Sequence, residues 1–525
     1  MLSAANVKRI IQKVAPPLII VSTLSIFVLH VLALVYVPYL NHDVAFFLTA
    51  GQMLIEGSWP YVDIIDVNLP MIIYLSAIPA AYAHLTHASL AVAGSMFLFL
   101  LVIITMLLFG KMLNIIIPTL THHQIYFMYV VWLMCSLWVY HHGDFGQREQ
   151  LIFLFLAPFV LLRYTRYTQV RAPLYLEITI SSLAFCGIAM KPFYLLPILI
   201  IEVIYIVIYR HLPVPFFSIE TLLWLCFGLV YLTHFYMIPG MSSFYDYWLG
   251  ILLRGYHTYS THEKMALLQE LLNRRFMHVY LLSAILLCFL VFYKKNSLLL
   301  LSACYGWFAC CSLVLYIWQA KSWSYQMIPF FCGIFVGGGL FFLGLQKHLT
   351  SKSWVAMPML ALITMSTVAL SFPIPFALLS ASLQLPPFDF PRNATVEAIE
   401  HLTTPEDRVL FLSLIPNNVF PALTYTGRKF AGRFLCAFPL AFFFRYSSDY
   451  TPGEQWKEDE ARFYEMLKED VHMLQPRMIF IDTRKLGLSF EISEYLRRKG
   501  FFTLFSSSYR HIGEIDQFEV YLLIG

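Results

Sequence analysis

Three aspartates and a histidine lie in one stretch between two long apolar segments, YLNHDVAFFLTAGQMLIEGSWPYVDIIDVNLP, which runs from Tyr39 to Pro70. Asp43 comes just after the first apolar segment, so a helix end would hold its carboxylate at an aqueous edge. There it could act as a general base toward a hydroxyl group. A carboxylate solvated by lipid headgroups would occupy the same position. The neighbouring His42 and the two later aspartates favour chemistry.

Asp63 and Asp66 are three residues apart, the spacing that one helical face requires. Together with Asn68 they could bind sugar hydroxyls, or a divalent cation through oxygen ligands. The alternative is a polar loop in which the aspartates and the sequence Asn68-Leu-Pro70 form turns. The stretch has no tight metal-binding motif, so the metal is the weaker hypothesis and a divalent cation stays possible.

A second polar stretch, HHGDFGQREQ, separates two later apolar segments and contains His142, Asp144, Arg148 and Glu149. An arginine can bind a phosphate group through two parallel hydrogen bonds. Glu149 could orient that arginine or pair with it. Short loops between membrane spans seldom carry so much charge, so we expect these residues to bind substrate.

Lys191 stands alone in GIAMKPFY, where two further apolar segments meet. A lysine at a membrane edge suggests an anionic partner, although it could also extend to the headgroups. Two acids lie in or near apolar segments. Glu177 is expected to pair with Arg171, and Glu202 has no evident role.

Length and composition predict a polytopic membrane protein. Of 525 residues, 59% are hydrophobic and 13% are charged, whereas soluble domains carry about a quarter of charged residues. A membrane-spanning helix needs about 20 apolar residues. We expect about eleven spans, at 16–38, 89–110, 124–141, 149–163, 175–190, 192–209, 219–238, 278–293, 297–317, 325–345 and 354–372.

Basic residues favour an orientation with the N-terminus in the cytoplasm. In that orientation the inner segments hold 12 Lys and Arg and the longer outer segments hold 7, as the positive-inside rule requires. The count holds only if 70–85, which is short and contains Pro79, lies along the outer surface instead of crossing. The outer loop 39–88, with its juxtamembrane helices, and the C-terminal region would then face outward.

The C-terminal region 389–525 has the texture of a soluble α/β domain, and 1–388 forms the membrane region. The runs 408–414 and 477–483 are typical of buried strands. FFTLF and FEVYLL are expected to be further strands, and two charged segments between and after the first two runs are expected to be helices. The chain shows no nucleotide-binding motif and no basic footprint for nucleic acid.

Taken together, the first helix, the acidic outer loop, the juxtamembrane helix, the Asp144 loop, Lys191 and the extracytoplasmic tail resemble the GT-C glycosyltransferases. Protein O-mannosyltransferases, lipid A aminoarabinose transferases and Rgt-type transferases are examples. The resemblance covers roughly residues 1–210. Its motifs are degenerate, and the arrangement of spans carries much of it.

The resemblance implies an inverting sugar transfer at the outer face of a bacterial inner membrane. A polyprenyl-phosphate-linked sugar would be the donor and a lipid, glycan or protein hydroxyl the acceptor, with membrane lipids as further partners. Asp43 falls where the family has its catalytic base. Many members have Asp-Glu or Glu-Asp there, whereas this chain has His42-Asp43. The family's phosphate-binding lysine before the juxtamembrane helix is also absent, so Arg148 or Lys191 would replace it.

Two other functions are compatible with this topology. A transporter or flippase for a lipid or polysaccharide intermediate would place ionisable residues near the bilayer midplane, and Glu202 would line its path. A polysaccharide polymerase or ligase would use a larger, arginine-rich outer loop, for which 239–276 is a modest candidate.

Overall fold

A computed structural model provides the structure of the protein. It describes residues 40–141, 143–210, 218–258, 263–274, 277–293, 295–348, 392–417, 419–445, 450–486, 488–504 and 508–524, together with residues 21, 25 and 28. The predicted spans 354–372 and, except for those three positions, 16–38 therefore lie outside the described residues.

Apolar helices dominate the described residues up to 348. They are α1 (His42–Ile55), α2 (Met71–Thr86), α3 (Leu90–Ile116), α4 (His122–His141), α5 (Arg148–Thr168), α6 (Leu174–Met190), α7 (Leu195–Tyr209), α8 (Ile219–Met237), α9 (Leu249–Thr258), α10 (Lys264–Asn273), α11 (Met277–Phe289), α12 (Ser297–Gln319) and α13 (Ile328–His348). Short 3-10 turns, Pro192–Tyr194 and Ser324–Met327, lead into α7 and α13.

Six segments in the described part of the chain are long and apolar enough to cross a membrane. They are Leu90–Ile116, Arg148–Thr168, Pro192–Tyr209, Ile219–Met237, Ser297–Gln319 and Ser324–Leu345. A bent pair, Lys264–Asn273 with Met277–Tyr293, would make a seventh if it forms one span. The protein is therefore a polytopic α-helical membrane protein, as predicted, and the total of eleven spans stays a prediction. Whether α2 crosses also stays open, because it is a 16-residue apolar helix with Pro79 inside it.

The chain folds into two compact units. The first takes the described residues of Met1–Pro38, Leu98–Val230 and Thr261–Asp389. Its helices pack through aromatic and small side chains. Tyr305 on α12, for example, is fully buried and donates to the carbonyl oxygen of Ala157 on α5 at 2.7 Å.

The second unit takes the described residues of Tyr39–Phe97, Tyr231–Ser260 and Phe390–Gly525. Helices α1 and α2 pack closely because Gly51 has no side chain. A Cβ atom at Gly51 would lie 2.5 Å from the carbonyl carbon of Ser76. Helix α1 also packs against the C-terminal region, where Thr49 and Thr424 share a hydrogen bond of 3.1 Å. The outer loop and the C-terminal region thus form one folded body.

The C-terminal region is an α/β fold, as predicted. Its elements are α14 (Ala394–Leu402), β1 (Arg408–Leu412), α15 (Phe420–Thr426), β2 (Lys429–Phe430), α16 (Phe438–Phe444), α17 (Lys457–Leu474), β3 (Met478–Asp482), α18 (Ile492–Arg498), β4 (Tyr509–Ile515) and β5 (Phe518–Leu523). The strand order is β2-β1-β3-β5-β4, with β2, β1 and β3 parallel and β5 antiparallel to both of its neighbours.

One strand assignment is wrong. The segment FFTLF forms a 3-10 turn, Phe501–Leu504, and the strand that pairs with β5 is β4, farther along the chain. Two adjacent phenylalanines have high strand propensity, but Gly500 precedes them with a left-handed φ of 73° and turns the chain. Strands β1, β3 and β5 lie in the expected apolar runs, whereas β2 and β4 were not expected.

Candidate functional site

The predicted base lies in the first turn of α1. Asn41 caps this helix, and its side-chain oxygen accepts a hydrogen bond from the backbone N–H of Asp43 at 2.8 Å. The Asp43 side chain is 19% exposed, and its Oδ1 lies 3.6 Å from Nε2 of His42. A capped helix end thus holds a largely buried carboxylate beside an imidazole, which could orient it or share its proton.

Asp63 and Asp66 do not share a helical face, contrary to the expectation from their spacing. The segment between Trp59 and Asp66 is a tight turn, in which Asp63 accepts a hydrogen bond from the Trp59 N–H at 2.9 Å. Tyr61, in that turn, is buried with a left-handed φ of 62°. Asp63 therefore closes a turn, as in the alternative reading of the sequence.

Asp66 and Asn68 do meet. Asp66 is 5% exposed. Its Oδ1 accepts from the Val67 N–H at 2.7 Å and its Oδ2 from the Asn68 amide at 2.8 Å. The Asn68 carbonyl oxygen in turn accepts from the Tyr61 hydroxyl at 2.6 Å. These bonds fix the end of the outer loop before α2 begins.

The half-buried thiol of Cys436 lies within electrostatic range of three acids of this unit. Burial raises the pKa of Cys436, and the charges of Asp66, Asp43 and Asp482 raise it further. Asp482 ends β3 and accepts a hydrogen bond from Ser413, the residue that follows β1, at 2.7 Å. Asp43 and Asp66 are thus brought near the carboxyl ends of two parallel strands, while Asp63 remains in its turn. Such strand ends commonly form ligand sites.

The possible divalent cation finds no support in the donor set. Among the residues that the structure describes, no group of three or more His, Cys, Asp or Glu side chains is placed to hold a metal ion.

The other predicted residues belong to the first unit, where four helix ends converge. Helix α5 begins at Arg148, α6 ends at Met190, α12 ends at Gln319, and a 3-10 turn begins at Ser324. We call the polar side chains at this place the outer cluster, after the orientation predicted from the sequence. It consists of Asp144, Gln147, Arg148, Glu149, Gln150, Lys191, Tyr194, Gln319, Lys321, Ser324 and Gln326.

Glu149 and Lys191 form a buried ion pair in this cluster. Glu149 is fully buried and Lys191 is 7% exposed. Glu149 therefore pairs with the lysine at the end of the next helix, whereas the sequence suggested its neighbour Arg148 as a partner. The Lys191 ammonium also lies 5.9 Å from the centre of the Tyr325 ring, which joins it to the segment before α13.

Asp144 and Arg148 are buried on either side of the turn that precedes α5. Asp144 accepts a hydrogen bond from the Ser324 hydroxyl at 2.9 Å. Arg148 lies within electrostatic range of the Tyr194 hydroxyl, as does Glu149. The structure thus brings four predicted residues together around the convergent helix ends. The fifth, His142, lies outside the described residues.

Sequence reasoning missed six buried residues of the outer cluster: Gln147, Gln150, Tyr194, Gln319, Lys321 and Gln326. Lys321 is only 1% exposed, and the Gln326 amide donates to the Gln319 side-chain oxygen at 3.1 Å. The segment QAKSWSYQ gave a signal, because it joins two spans with three residues that can bind an anion or a hydroxyl. Nothing in the sequence showed that the lysine is buried.

The backbone around Lys321 is strained. Ala320 and Ser322 have φ values of 51° and 58°, a left-handed region that residues other than glycine enter at a cost. Such strain concentrates at ligand sites, where the surroundings enforce it. The two left-handed residues flank the buried lysine and hold it in the loop.

Several buried atoms of the outer cluster keep spare hydrogen-bonding capacity. Within the described residues, no partner is found for Glu149 Oε2, Gln150 Nε2, the Tyr194 hydroxyl and Gln326 Oε1. Buried polar atoms normally have a partner, and each exception needs an explanation. A bound polar ligand would supply these bonds.

The opposite end of α5 carries a second group of buried charges, which we call the inner network. Arg163 donates to both oxygens of Glu202, at 2.5 and 3.1 Å, and to Glu220 at 2.8 Å. Arg166 donates twice to Glu220 at 2.9 Å and forms an ion pair with Glu177 at 2.8 Å.

Two expectations about acids change here. The partner of Glu177 is Arg166, and not Arg171. Glu202, which had no evident role, accepts from Arg163 and from the Tyr167 hydroxyl at 2.6 Å. Arg163 and Arg166 lie in the last turns of α5, whereas Arg171 lies in the loop after that helix. The packing of α5 against its neighbouring helices therefore decides which arginine each glutamate contacts.

Comparisons with known proteins give a structural likeness and no match by sequence. No protein-family model matches the chain, and no curated protein matches its sequence. A solved structure of the Archaeoglobus fulgidus oligosaccharyltransferase, in a complex with zinc and sulfate, is similar over 89% of this chain and 68% of that one. The identity is 10% and the TM-score is 0.46.

Proposed function

We propose that this protein is an inverting glycosyltransferase of GT-C type, which moves a sugar from a polyprenyl-phosphate donor to an acceptor hydroxyl. The outer cluster is the observation that carries the proposal. It holds three buried cationic side chains, Arg148, Lys191 and Lys321, with two acids, Asp144 and Glu149. A site with an excess of buried positive charge suits an anionic ligand, and the Gln150 amide and the Tyr194 hydroxyl, which have no partner among the described residues, can donate to it.

The lipid phosphate is the ligand that this chemistry favours. During transfer the bond between the sugar's anomeric carbon and the phosphate oxygen breaks, and negative charge builds on the departing phosphate. Arg148 can donate two parallel hydrogen bonds to it, and Lys191 adds a point charge. In a site that excludes water these groups stabilise the developing charge strongly. Glu149 holds Lys191 in place.

Asp43 would serve as the base. Its carboxylate takes the proton of the acceptor hydroxyl while the hydroxyl oxygen forms a bond to the anomeric carbon and displaces the phosphate. Direct displacement inverts the anomeric centre. His42 beside Asp43 can orient the carboxylate. Asp66 and Asn68 bind sugar hydroxyls in this scheme, whereas Asp63 supports the loop.

The proposal includes the setting of the enzyme. We place the enzyme in the inner membrane of a bacterium, and the basic residues favour an orientation with the N-terminus in the cytoplasm and the C-terminal domain outside. The division into a membrane region, 1–388, and a C-terminal domain, 389–525, belongs to the same proposal. The acceptor is a lipid, glycan or protein hydroxyl.

The transporter alternative loses its best candidate residue. A transport path would use Glu202 as an accessible acid near the midplane. Glu202 is instead engaged by Arg163 and Tyr167. A half-buried acid held by an arginine and a tyrosine suits a structural role.

The test replaces Asp43 with Asn and measures sugar transfer in vesicles that contain the full chain and a polyprenyl-phosphate sugar. A general base contributes about a hundredfold to ten-thousandfold to a rate, and we expect a loss in that range. Asp63→Asn is the matched control, because it removes an acid from the same loop that only closes a turn.

Transfer that is undiminished in Asp43→Asn, or reduced equally by Asp63→Asn, would exclude Asp43 as the base. Circular dichroism and the unfolding midpoint in detergent show whether both variants stay folded.

A further inference from the structure

A groove opens between α3 and α4 in the first unit, at the end of these helices that is remote from the outer cluster. It has a volume of about 640 Å³, within the size range of small-molecule sites. Residues at helical spacing line it from both sides: Ile104, Leu107, Leu108, Lys111 and Asn114 on α3, and His122, Ile125, Tyr126 and Tyr129 on α4. Tyr175 and Leu176 at the start of α6 close it.

The groove is polar at one end and apolar at the other. Lys111, Asn114 and His122 are exposed and lie near the C-terminal end of α3 and the start of α4. Ile104 and Leu107, one to two turns earlier on α3, are 36% and 51% exposed. Seven residues separate Ile104 from Lys111, which is about 10 Å along a helix. A ligand that fills the groove must therefore be amphipathic.

The position of Lys111 fits the headgroup layer of a membrane. Helix α3 has 27 residues, which is about 40 Å of helix, while the hydrocarbon core of a bilayer is about 30 Å thick. Helix α3 is therefore long enough for its last turns to extend past the acyl chains. Tyrosines such as Tyr126 and Tyr175 are typical of this layer.

A glycine shapes the groove wall. The Tyr129 ring lies directly against Gly110, where a Cβ atom would be 2.3 Å from a ring carbon. Because Gly110 has no side chain, the Tyr129 ring can pack against α3 next to Lys111. This close fit leaves the groove open between the two helices and forms its floor.

We propose that this groove binds an anionic glycerophospholipid. The lipid phosphate would lie between Lys111 and His122, with its glycerol near Asn114, and one acyl chain would lie along Ile104, Leu107 and Ile125. The groove has a basic residue at its polar end and apolar surface at its other end, which favours this ligand over free phosphate. Free phosphate would leave the apolar end of the groove empty. The inference is independent of the proposed sugar transfer, because it uses none of the same residues.

The test uses the purified full chain in detergent. Native mass spectrometry measures how much dioleoylphosphatidylglycerol and dioleoylphosphatidylcholine stay bound when both are supplied at equal concentration. Lys111→Gln removes the charge at the polar end, and Leu107→Trp fills the apolar arm at an exposed position. Arg171→Gln is the control, because it removes the same charge from an exposed residue outside the groove.

We expect the wild-type chain to retain phosphatidylglycerol over phosphatidylcholine. A basic residue near a membrane surface contributes enough to change the affinity for an anionic lipid about fivefold. Lys111→Gln should lose about that much, Leu107→Trp should also lose bound lipid, and Arg171→Gln should behave as the wild type. Equal retention of the two lipids, or an equal effect of Lys111→Gln and Arg171→Gln, would overturn the proposal. Displacement of the lipid by millimolar inorganic phosphate would assign the site to free phosphate and would also overturn it.

Discussion

The two ends of α5 carry buried charges that are organised in opposite ways. In the inner network, Arg163 and Arg166 are held by three glutamates through short, often paired hydrogen bonds. In the outer cluster Glu149 pairs with Lys191, and its second carboxylate oxygen has no partner among the described residues. The charged groups of the inner network find their hydrogen-bond partners within the protein, whereas buried atoms of the outer cluster can still form further hydrogen bonds.

The difference separates a structural role from a binding role. Burying charges costs free energy, and a network that satisfies each of them locks the helices that contribute to it. The inner network joins α5, α6, α7 and α8 in this way. Buried polar atoms that lack a hydrogen-bond partner in the protein can gain one from a ligand. We therefore expect the ligand to bind at the outer cluster. The variants below are chosen to break one end and spare the other.

Arg163→Met should have the largest effect on stability. Removing one partner of a buried charge network leaves the others uncompensated and typically costs about 3–5 kcal/mol. Unfolding by SDS titration measures the free energy of unfolding. Arg171→Gln, at an exposed position on the same side, should leave it unchanged. A loss below about 1 kcal/mol for Arg163→Met would show that the network does not hold the helices together.

Lys191→Met should destabilise the chain for the same reason, because it leaves Glu149 buried and charged. The double variant Glu149→Gln with Lys191→Met removes both charges, and replacing a whole buried pair is often nearly neutral. We expect the double variant to recover stability while sugar transfer stays reduced about a hundredfold or more, as on loss of an anion-stabilising group. Full activity in the stable double variant would make the pair purely structural.

A pair of tyrosines gives the smallest and most selective effect. Tyr305→Phe removes a hydroxyl that donates to Ala157, and it should cost about 1 kcal/mol of stability without affecting binding. Tyr194→Phe removes a buried hydroxyl without a partner in the described part of the chain. It should leave stability unchanged and weaken binding of a phosphate-bearing lipid about fivefold. Equal stability losses in the two variants would remove the distinction between bonded and spare groups.

Most of the helical fold could be predicted because apolar runs of span length have few alternatives. The segments that became α3 to α8 and α12 were each expected within a few residues of their observed bounds. The strands β1, β3 and β5 were visible as short apolar runs. The segment FFTLF shows the limit, because a turn at Gly500 overrides strand propensity and only β4, a less apolar segment, reaches the sheet.

The site was only partly predictable, because burial and partner choice depend on packing between distant segments. Glu149 pairs with a residue 42 positions later, and Glu202 with one 39 positions earlier. Asp63 and Asp66 have helical spacing, but the left-handed Tyr61 shows that their segment is a turn. Nothing in the sequence distinguished Lys321 from an exposed loop lysine, and only the structure shows that it is buried.

The central claim is that the outer cluster binds a lipid-borne phosphate. Its most direct test compares the binding of undecaprenyl phosphate and undecaprenol to the purified full chain, and repeats it with Arg148→Gln. We predict that the phosphate binds at least about tenfold more tightly than the alcohol, and that Arg148→Gln abolishes this preference, since a charge-assisted hydrogen bond contributes more than 1.4 kcal/mol. Equal affinity for the two lipids, or an unchanged preference in a folded Arg148→Gln variant, would contradict the claim.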